Sequence, residues 1–145
     1  MTDGPSPVWL FWALLSASFA AATAILTKLG VEGVHPDVAT LIRTVVVLLM
    51  LVILVSVSGV GLSLPSLSGR TWLFLTLSGL ATGASWLCYI RALQHGPASQ
   101  VAPVDKLSVV FVALFGVALL GERLSVANWL GIGLIAAGAA LVALK

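Results

Sequence analysis

A short segment in the second half of the chain, VAPVDKLSVV (residues 101–110), places an acid beside a base inside an apolar stretch. Asp105 and Lys106 are adjacent, and Pro103 lies two residues before the acid. Carboxylate and ammonium groups bind ions and polar solutes or pair with each other, and both are costly to place among apolar side chains. The two charges therefore indicate either an ion pair that fixes helix packing or a group that binds or gates a solute.

Helical geometry determines which partners these two charges can reach. Adjacent residues of an α-helix point about 100° apart, so Asp105 and Lys106 are not expected to face each other. We expect Asp105 to pair instead with Arg43 or Arg91, which lie in other apolar segments. The flexible stem of Lys106 allows its ammonium group to extend towards the membrane surface.

Pro103 predicts a bend in the helix that carries Asp105. Proline has no backbone N–H, so the carbonyl of Ser99 loses its helical donor. Irregular backbone at membrane depth is tolerated where it is buried in protein or lines a cavity. Ser108 lies three residues after Asp105 and shares its helical face, so both side chains are expected to line that cavity.

Other cations lie at a similar depth near the same ends of their segments. At 1.5 Å per residue, Asp105 and Arg43 each lie about 9 Å inside their segments, and Arg91 lies about 5 Å inside. An unpaired charge in lipid costs at least about 2.5–3.5 kcal/mol, so these groups need partners or water. The candidate gate or charge network comprises Lys28, Arg91, Pro103 and Lys106.

Hydroxyl groups form a stripe on one segment. Ser78, Thr82, Ser85 and Tyr89 recur at helical spacing and share one face. Such a stripe either packs against another helix or lines a wet cavity. The candidate solute-binding residues are Arg43, Ser85, Tyr89, Asp105 and Ser108.

Small residues mark possible contacts between helices. Gly79 and Gly83 form a GxxxG pattern, and Gly131 and Gly138 lie seven residues apart in the last apolar segment. Glycine allows two helix backbones to approach closely. These four glycines are candidates for helix packing or for a dimer contact.

The chain carries no motif of a known catalytic chemistry. GxSxG, HExxH and P-loop patterns are absent from the sequence. Two histidines in loops and a single cysteine predict no metal site and no intrachain disulfide. A net charge of +2 is too small for a nucleic-acid-binding surface. We therefore expect a protein that is not an enzyme, with no cofactor, no metal and no nucleic-acid partner.

Five apolar segments must position these residues. Charged residues make up 8% of the chain and the mean hydropathy is +1.16, whereas a soluble domain has about 25% charged residues. Each segment is long enough to cross about 30 Å of hydrocarbon. We expect one all-α integral membrane domain over residues 1–145, with spans near 7–27, 38–57, 72–93, 101–120 and 126–144.

The distribution of basic residues predicts a weak orientation preference. An odd number of spans places the termini on opposite sides, called side A for the N-terminus and side B for the C-terminus. Side A receives Arg70 and Arg123, and side B receives Lys28, Arg91 and Lys145. Cytoplasmic loops carry an excess of Lys and Arg, so this small difference favours side B as the cytoplasmic side only slightly. It also permits insertion in both orientations.

Six segments carry a resemblance to a known family: TKLG (27–30), IRT (42–44), ASWLCYIRAL (84–93), APVDKLS (102–108), GERLS (121–125) and NWLGIGLIAAGA (128–139). Together they resemble the short five-span, half-size prokaryotic members of the EamA-like family, within the drug/metabolite transporter superfamily. The resemblance covers nearly the whole chain. The related small multidrug-resistance proteins carry an essential glutamate in the first span, and this chain has no acid there, so their proton coupling is not implied.

The resemblance implies half of a ten-helix architecture built from two inverted five-span repeats. A second copy would supply the missing half, and a solute would bind near the membrane midplane between alternately opening sides. We therefore expect an exporter of a small polar or amphipathic metabolite or drug, working as an antiparallel homodimer in the inner membrane. Two alternatives remain: a non-transporting membrane scaffold or subunit whose charges only fix packing, and a lipid-carrier flippase.

Overall fold

The structure is a computed structural model, and it describes residues 8–59 and 67–144. Every regular element in those residues is a helix: α1 (Val8–Gly30), α2 (Pro36–Val57), α3 (Gly69–His95), α4 (Ala98–Asp105), α5 (Ser108–Leu120) and α6 (Val126–Ala143). Pro7, the predicted start of the first span, and Lys145, a predicted side B charge, lie outside the described residues.

The five predicted spans are confirmed. Five helical stretches are long and apolar enough to cross a membrane, with α4 and α5 together forming the fourth, Ala98–Leu120. The predicted bounds lie within three residues of the observed ones. The chain is therefore an all-α, multi-pass membrane protein.

Local capping interactions explain where α2 and α6 begin. Pro36 occupies the first turn of α2, where its missing N–H leaves no hydrogen bond unmade. Nδ1 of His35 accepts a hydrogen bond from the N–H of Asp37 at 3.3 Å. At α6, the hydroxyl of Ser125 accepts from the N–H of Asn128 at 3.2 Å. Such caps satisfy donors that the first helical turn leaves without partners.

The chain divides into two compact units. The first unit contains α1 as far as Lys28 together with the chain from His95 onward, and the second unit contains residues 29–94. In the first unit, α4 and α5 both pack against α6. In the second unit, Val31, Ala39 and Ile90 form a buried apolar cluster with Val34 at its edge.

Most large apolar side chains remain exposed along the helices. Leu49, Leu80 and Leu119 are 57%, 66% and 77% exposed, whereas Ile90 and Leu93 are fully buried. In water this distribution would be strongly unfavourable. Lipid tails are as apolar as leucine, so the same surface is compatible with a bilayer.

The helix of the fourth span is interrupted, but not where the sequence predicts a bend. The expected position is the carbonyl of Ser99, whereas α4 and α5 are separated at Lys106 and Leu107. The N–H groups of these two residues donate to carbonyls three residues earlier, on Pro103 at 3.1 Å and on Val104 at 3.0 Å. Hydrogen bonds of this spacing tighten the backbone and end the regular α-helix.

Candidate functional site

The predicted solute-binding residues are distributed over both units. Arg43, Ser85 and Tyr89 belong to the second unit, and Asp105 and Ser108 belong to the first. Their roles in solute binding remain predictions. The surroundings of each group decide what chemistry it can perform.

In the second unit, the side chain of Arg43 lies against an aromatic ring. Its guanidinium carbon is 5.2 Å from the centroid of the Trp86 ring, a cation–π contact. Tyr89 lies near the same guanidinium. Trp86 and Tyr89 are three residues apart on α3, a spacing that places two side chains on one helical face. Arg43 and Tyr89 are among the solute-binding candidates predicted from the sequence, whereas Trp86 is not.

One atom of Arg43 lacks a partner. Its Nη1 is buried and makes no hydrogen bond within the described residues. No ion pair of Arg43 occurs within residues 8–59 and 67–144 either. The predicted pairing of Asp105 with Arg43 is therefore not found.

Neighbouring hydroxyl groups are satisfied within their own helices. Thr40 and Thr44 of α2 donate to the carbonyls of Pro36 and Thr40, each at 2.8 Å. Thr82 of α3 donates to the carbonyl of Ser78 at 2.9 Å. Such bonds to the preceding turn are common for hydroxyls in apolar surroundings. The predicted site residue Ser85 is exposed.

Arg91 has a partner that the sequence analysis did not identify. Its Nη2 lies 2.9 Å from Oδ1 of Asp37, and both side chains are 53% exposed. Nδ1 of His35 lies 3.8 Å from the other carboxylate oxygen. Arg91 therefore has a carboxylate partner within its own unit, which was not among the predictions. A usable signal was present, since Arg91 and Asp37 both lie within about two turns of predicted side B ends.

Gln94 is a second residue that sequence reasoning missed. Its side-chain amide donates to the carbonyl of Val34 at 2.7 Å and to that of Val31 at 3.3 Å. These bonds attach the segment before α2 to the end of α3. A lone glutamine before a Gly-Pro turn carries no pattern that would have indicated this role.

In the first unit, Asp105 and Lys106 pair with each other. Nζ of Lys106 lies 3.4 Å from Oδ2 of Asp105, and the two side chains are 61% and 39% exposed respectively. The prediction that adjacent residues would not face each other is wrong here. It assumed a continuous helix, whereas α4 ends at Asp105, and Ser108 begins α5 as an exposed residue. The long side chain of Lys106 reaches back to the carboxylate.

Lys28 contacts the turn that follows α3. Its Nζ donates to the carbonyl of Gly96 at 3.0 Å. The ammonium group therefore supplies a hydrogen bond to a backbone carbonyl in the turn after α3. This contact is consistent with the predicted place of Lys28 in a charge network, a role that remains a prediction.

The four candidate packing glycines meet no other element of the described chain. A β-carbon built at Gly79, Gly83, Gly131 or Gly138 would have no atom of a neighbouring element within 4 Å. Gly116 differs, because a β-carbon there would lie 2.6 Å from a carboxylate oxygen of Glu122. Within the described residues, close approach between helices is therefore not the role of the four predicted glycines.

Within residues 8–59 and 67–144, no three His, Cys, Asp or Glu side chains are grouped to hold a metal ion. The polar groups of the candidate site include hydroxyls, the ion pair of Asp105 with Lys106, and the guanidinium of Arg43. Such groups can hold and orient a solute or fix helices.

Comparisons with known proteins identify relatives over the whole chain and over part of it. The model of the EamA-like transporter family matches residues 7–144. A Sinorhizobium sp. protein named "Uncharacterized transporter in cobO 3'region" is 59% identical over 138 residues, which cover 95% of this chain and 98% of the relative.

Two further relatives are named "Probable 4-amino-4-deoxy-L-arabinose-phosphoundecaprenol flippase subunit ArnE". The protein from Hamiltonella defensa is 30% identical over 73 residues, covering 50% of this chain and 66% of the relative. The protein from Aeromonas hydrophila is 34% identical over 71 residues, covering 49% and 60%. No solved structure matches the chain significantly. The predicted resemblance is confirmed by the family match over nearly the full length, and the chain belongs to the EamA-like transporter family.

Proposed function

We propose that this chain exports a small polar or amphipathic solute across the inner membrane by alternating access, as an antiparallel homodimer. Membership of a transporter family and five spans support the general function. The Sinorhizobium relative, which is named a transporter, supports it further, since the match covers 98% of its length.

The observation that carries this proposal is the exposed charge pair at the interrupted helix. Asp105 and Lys106 lie inside a span, yet their side chains are 39% and 61% exposed. Facing lipid, such charges would be strongly unfavourable, so they require water or a second protein surface. A solute path at the contact between two copies would supply both the water and the second protein surface. In this proposal, Asp105 and Ser108 of the first unit contact the solute, and Arg43, Ser85 and Tyr89 are the candidate solute-binding residues of the second unit.

The glycines fit the same proposal. Gly79, Gly83, Gly131 and Gly138 leave open space beside their helices in a single chain. Small residues are the usual means by which helices associate in lipid. We propose that these positions contact the second copy.

A second candidate function is a subunit of a lipid-carrier flippase. The observation that favours it is the similarity to two proteins named as ArnE flippase subunits, each over about half of this chain. In that case the partner would be a different chain and the cargo a lipid-linked solute. A non-transporting scaffold remains the third alternative.

Flux into proteoliposomes tests the proposed function. The purified chain is reconstituted and supplied with radiolabelled amines, amino acids and sugars, while a fluorescent polyprenyl phosphate is scored for movement between leaflets. We expect saturable flux of at least one soluble solute, which empty liposomes lack. Lipid movement without solute flux would support the flippase, and absence of both would support the scaffold.

A further inference from the structure

Arg43 differs from Lys28, Arg91 and Lys106, the other three cations near side B that the structure describes. Arg91 pairs with Asp37 at 2.9 Å, Lys106 pairs with Asp105 at 3.4 Å, and Lys28 donates to a backbone carbonyl at 3.0 Å. Arg43 has no carboxylate partner within the described residues, and its buried Nη1 makes no hydrogen bond there. At 1.5 Å per residue, it lies about 10 Å along α2 from Pro36.

The contact with Trp86 satisfies only part of what the guanidinium requires. The ring face, 5.2 Å from the guanidinium carbon, attracts the positive charge. A ring face does not replace the oxygen acceptors that lie in the plane of the five guanidinium N–H groups. Arg43 makes no hydrogen bond within the described residues. A donor without an acceptor is unfavourable in apolar surroundings, so the N–H groups of this guanidinium that are not covered favour an added acceptor in their plane.

The shape of the missing acceptor follows from the donor. A guanidinium presents its N–H groups as a planar fork that matches the paired oxygens of a carboxylate or a phosphate. Tyr89 lies near the same guanidinium, and the Trp86 ring supplies apolar surface beside it for the rest of the molecule. Repulsion by Arg43 disfavours a cation at this position.

We propose that Arg43, Trp86 and Tyr89 form a binding site for the carboxylate or phosphate group of an anionic, amphipathic solute. This inference rests on the proposed transport function, because it names the chemical class of the transported molecule. All three residues lie in the second unit, so the site needs no contribution from the first.

Binding of small anions to the purified full-length chain tests the site. The chain is placed in phosphatidylcholine nanodiscs and titrated calorimetrically with phenyl phosphate, benzoate and benzylamine. We expect saturable binding of both anions and none of the amine. Arg43→Gln should weaken anion binding at least about tenfold, equal to about 1.4 kcal/mol. Arg43→Lys should weaken anion binding less than Arg43→Gln does, because lysine keeps the positive charge. It should still weaken binding, because lysine lacks the planar pair of N–H donors.

Arg70 provides a matched control. Its guanidinium carbon lies 5.7 Å from the Phe74 ring centroid, a contact of the same kind at the start of α3. Arg70→Gln should leave anion binding unchanged. Each variant is first compared with the unaltered chain by size-exclusion elution and helical circular dichroism. If Arg43→Gln does not fold like the unaltered chain, the anion affinity of Arg43→Lys is compared with that of the unaltered chain instead, and weaker binding by Arg43→Lys supports the site.

Three results would overturn the assignment: no binding of either anion, equal binding of benzylamine, or anion binding that neither substitution of Arg43 weakens. A lipid headgroup is the other possible source of the oxyanion. If phosphatidylglycerol in the nanodiscs abolishes phenyl phosphate binding, the site belongs to a lipid and the solute assignment is overturned. If binding persists there, the solute assignment stands.

Flux of phenyl phosphate separates this inference from the proposed function. Binding without flux into proteoliposomes would support the site and contradict transport. Flux of benzylamine that Arg43→Gln leaves unchanged would support transport and contradict the anion site. Flux of phenyl phosphate that Arg43→Gln abolishes would support both.

Discussion

Asp105 shows how the local backbone changes the partners available to one side chain. In a continuous helix its neighbour Lys106 would point about 100° away. Because α4 ends at Asp105, the lysine reaches the carboxylate at 3.4 Å. The pair is solvent-accessible in the single chain, and exposed ion pairs contribute only about 0–1 kcal/mol to stability. Its presence inside a span therefore requires a reason other than folding.

Exchanging the two charges tests whether Asp105 acts on a solute. We expect Asp105→Asn to lower flux at least about tenfold, equal to about 1.4 kcal/mol. Its effect on the free energy of unfolding should remain below about 1 kcal/mol. The double variant Asp105→Lys with Lys106→Asp restores a neighbouring pair but moves the carboxylate, so flux should stay low. Recovery of flux in the double variant would show that only the local pair matters.

Arg91 and Arg43 differ in how their charge is compensated. Arg91 has a carboxylate partner at 2.9 Å, whereas Arg43 has an aromatic ring and an unsatisfied Nη1. Both were candidate partners of Asp105, and neither serves it. The difference makes Arg43 the residue from which the solute class can be inferred.

At the scale of the elements, the turn between α5 and α6 depends on one glycine. Gly121 has φ of +69°, a left-handed conformation that other residues adopt only with strain. The N–H of Glu122 donates to the carbonyl of Gly116 at 3.1 Å, and the N–H of Gly121 donates to the same carbonyl, which satisfies a terminal acceptor of α5. The turn ends α5 and allows α6 to begin at Val126.

Gly121→Ala should destabilise this turn. The left-handed conformation costs a non-glycine residue about 1–2 kcal/mol, so we expect a loss of that size in the free energy of unfolding in detergent. Gly121→Asn should lose less, since asparagine tolerates this conformation better. Gly133→Ala in α6 is the matched control, because it has no positive φ and no neighbouring atom within 4 Å of its β-carbon. Equal losses of unfolding free energy in Gly121→Ala and Gly133→Ala would contradict the view that the turn depends on the left-handed conformation of Gly121.

At the scale of the whole molecule, the exposed apolar surface and the small charge asymmetry both concern the bilayer. Most large apolar side chains face outward along helices that could span a membrane. The fixed charges do not strongly favour either orientation. Together they permit copies of one chain to insert in opposite directions, which an inverted pair requires.

Dual topology is the prediction that tests this arrangement. A reporter active only in the cytoplasm and one active only outside it, each fused to the C-terminus, should both give signal. Adding two lysines beside Arg70, at the side A start of α3, should shift the population towards one orientation and lower flux, since antiparallel pairs become rare. A single orientation in the unaltered chain would exclude the antiparallel homodimer, and a parallel dimer or a separate partner would replace it.

Much of the architecture could be predicted, and less of the candidate site. The ends of the spans were predicted within three residues, and Arg43 and Tyr89 were selected together. Trp86, Asp37 and Gln94 were not selected. Their partners lie on other helices, and side-chain spacing along one helix carries no information on the neighbouring helix.

The sequence by itself determined the number, length and membrane character of the helices. A helix in lipid must satisfy its backbone hydrogen bonds within itself, so a local apolar run is enough to define it. Only the tertiary structure decided the partners of the charges: Arg91 with Asp37, 54 residues away, and Arg43 with Trp86. These contacts depend on how helices meet and where a helix breaks. Those features arise from side chains distant in sequence, and they leave Arg43 with an unsatisfied donor inside a span.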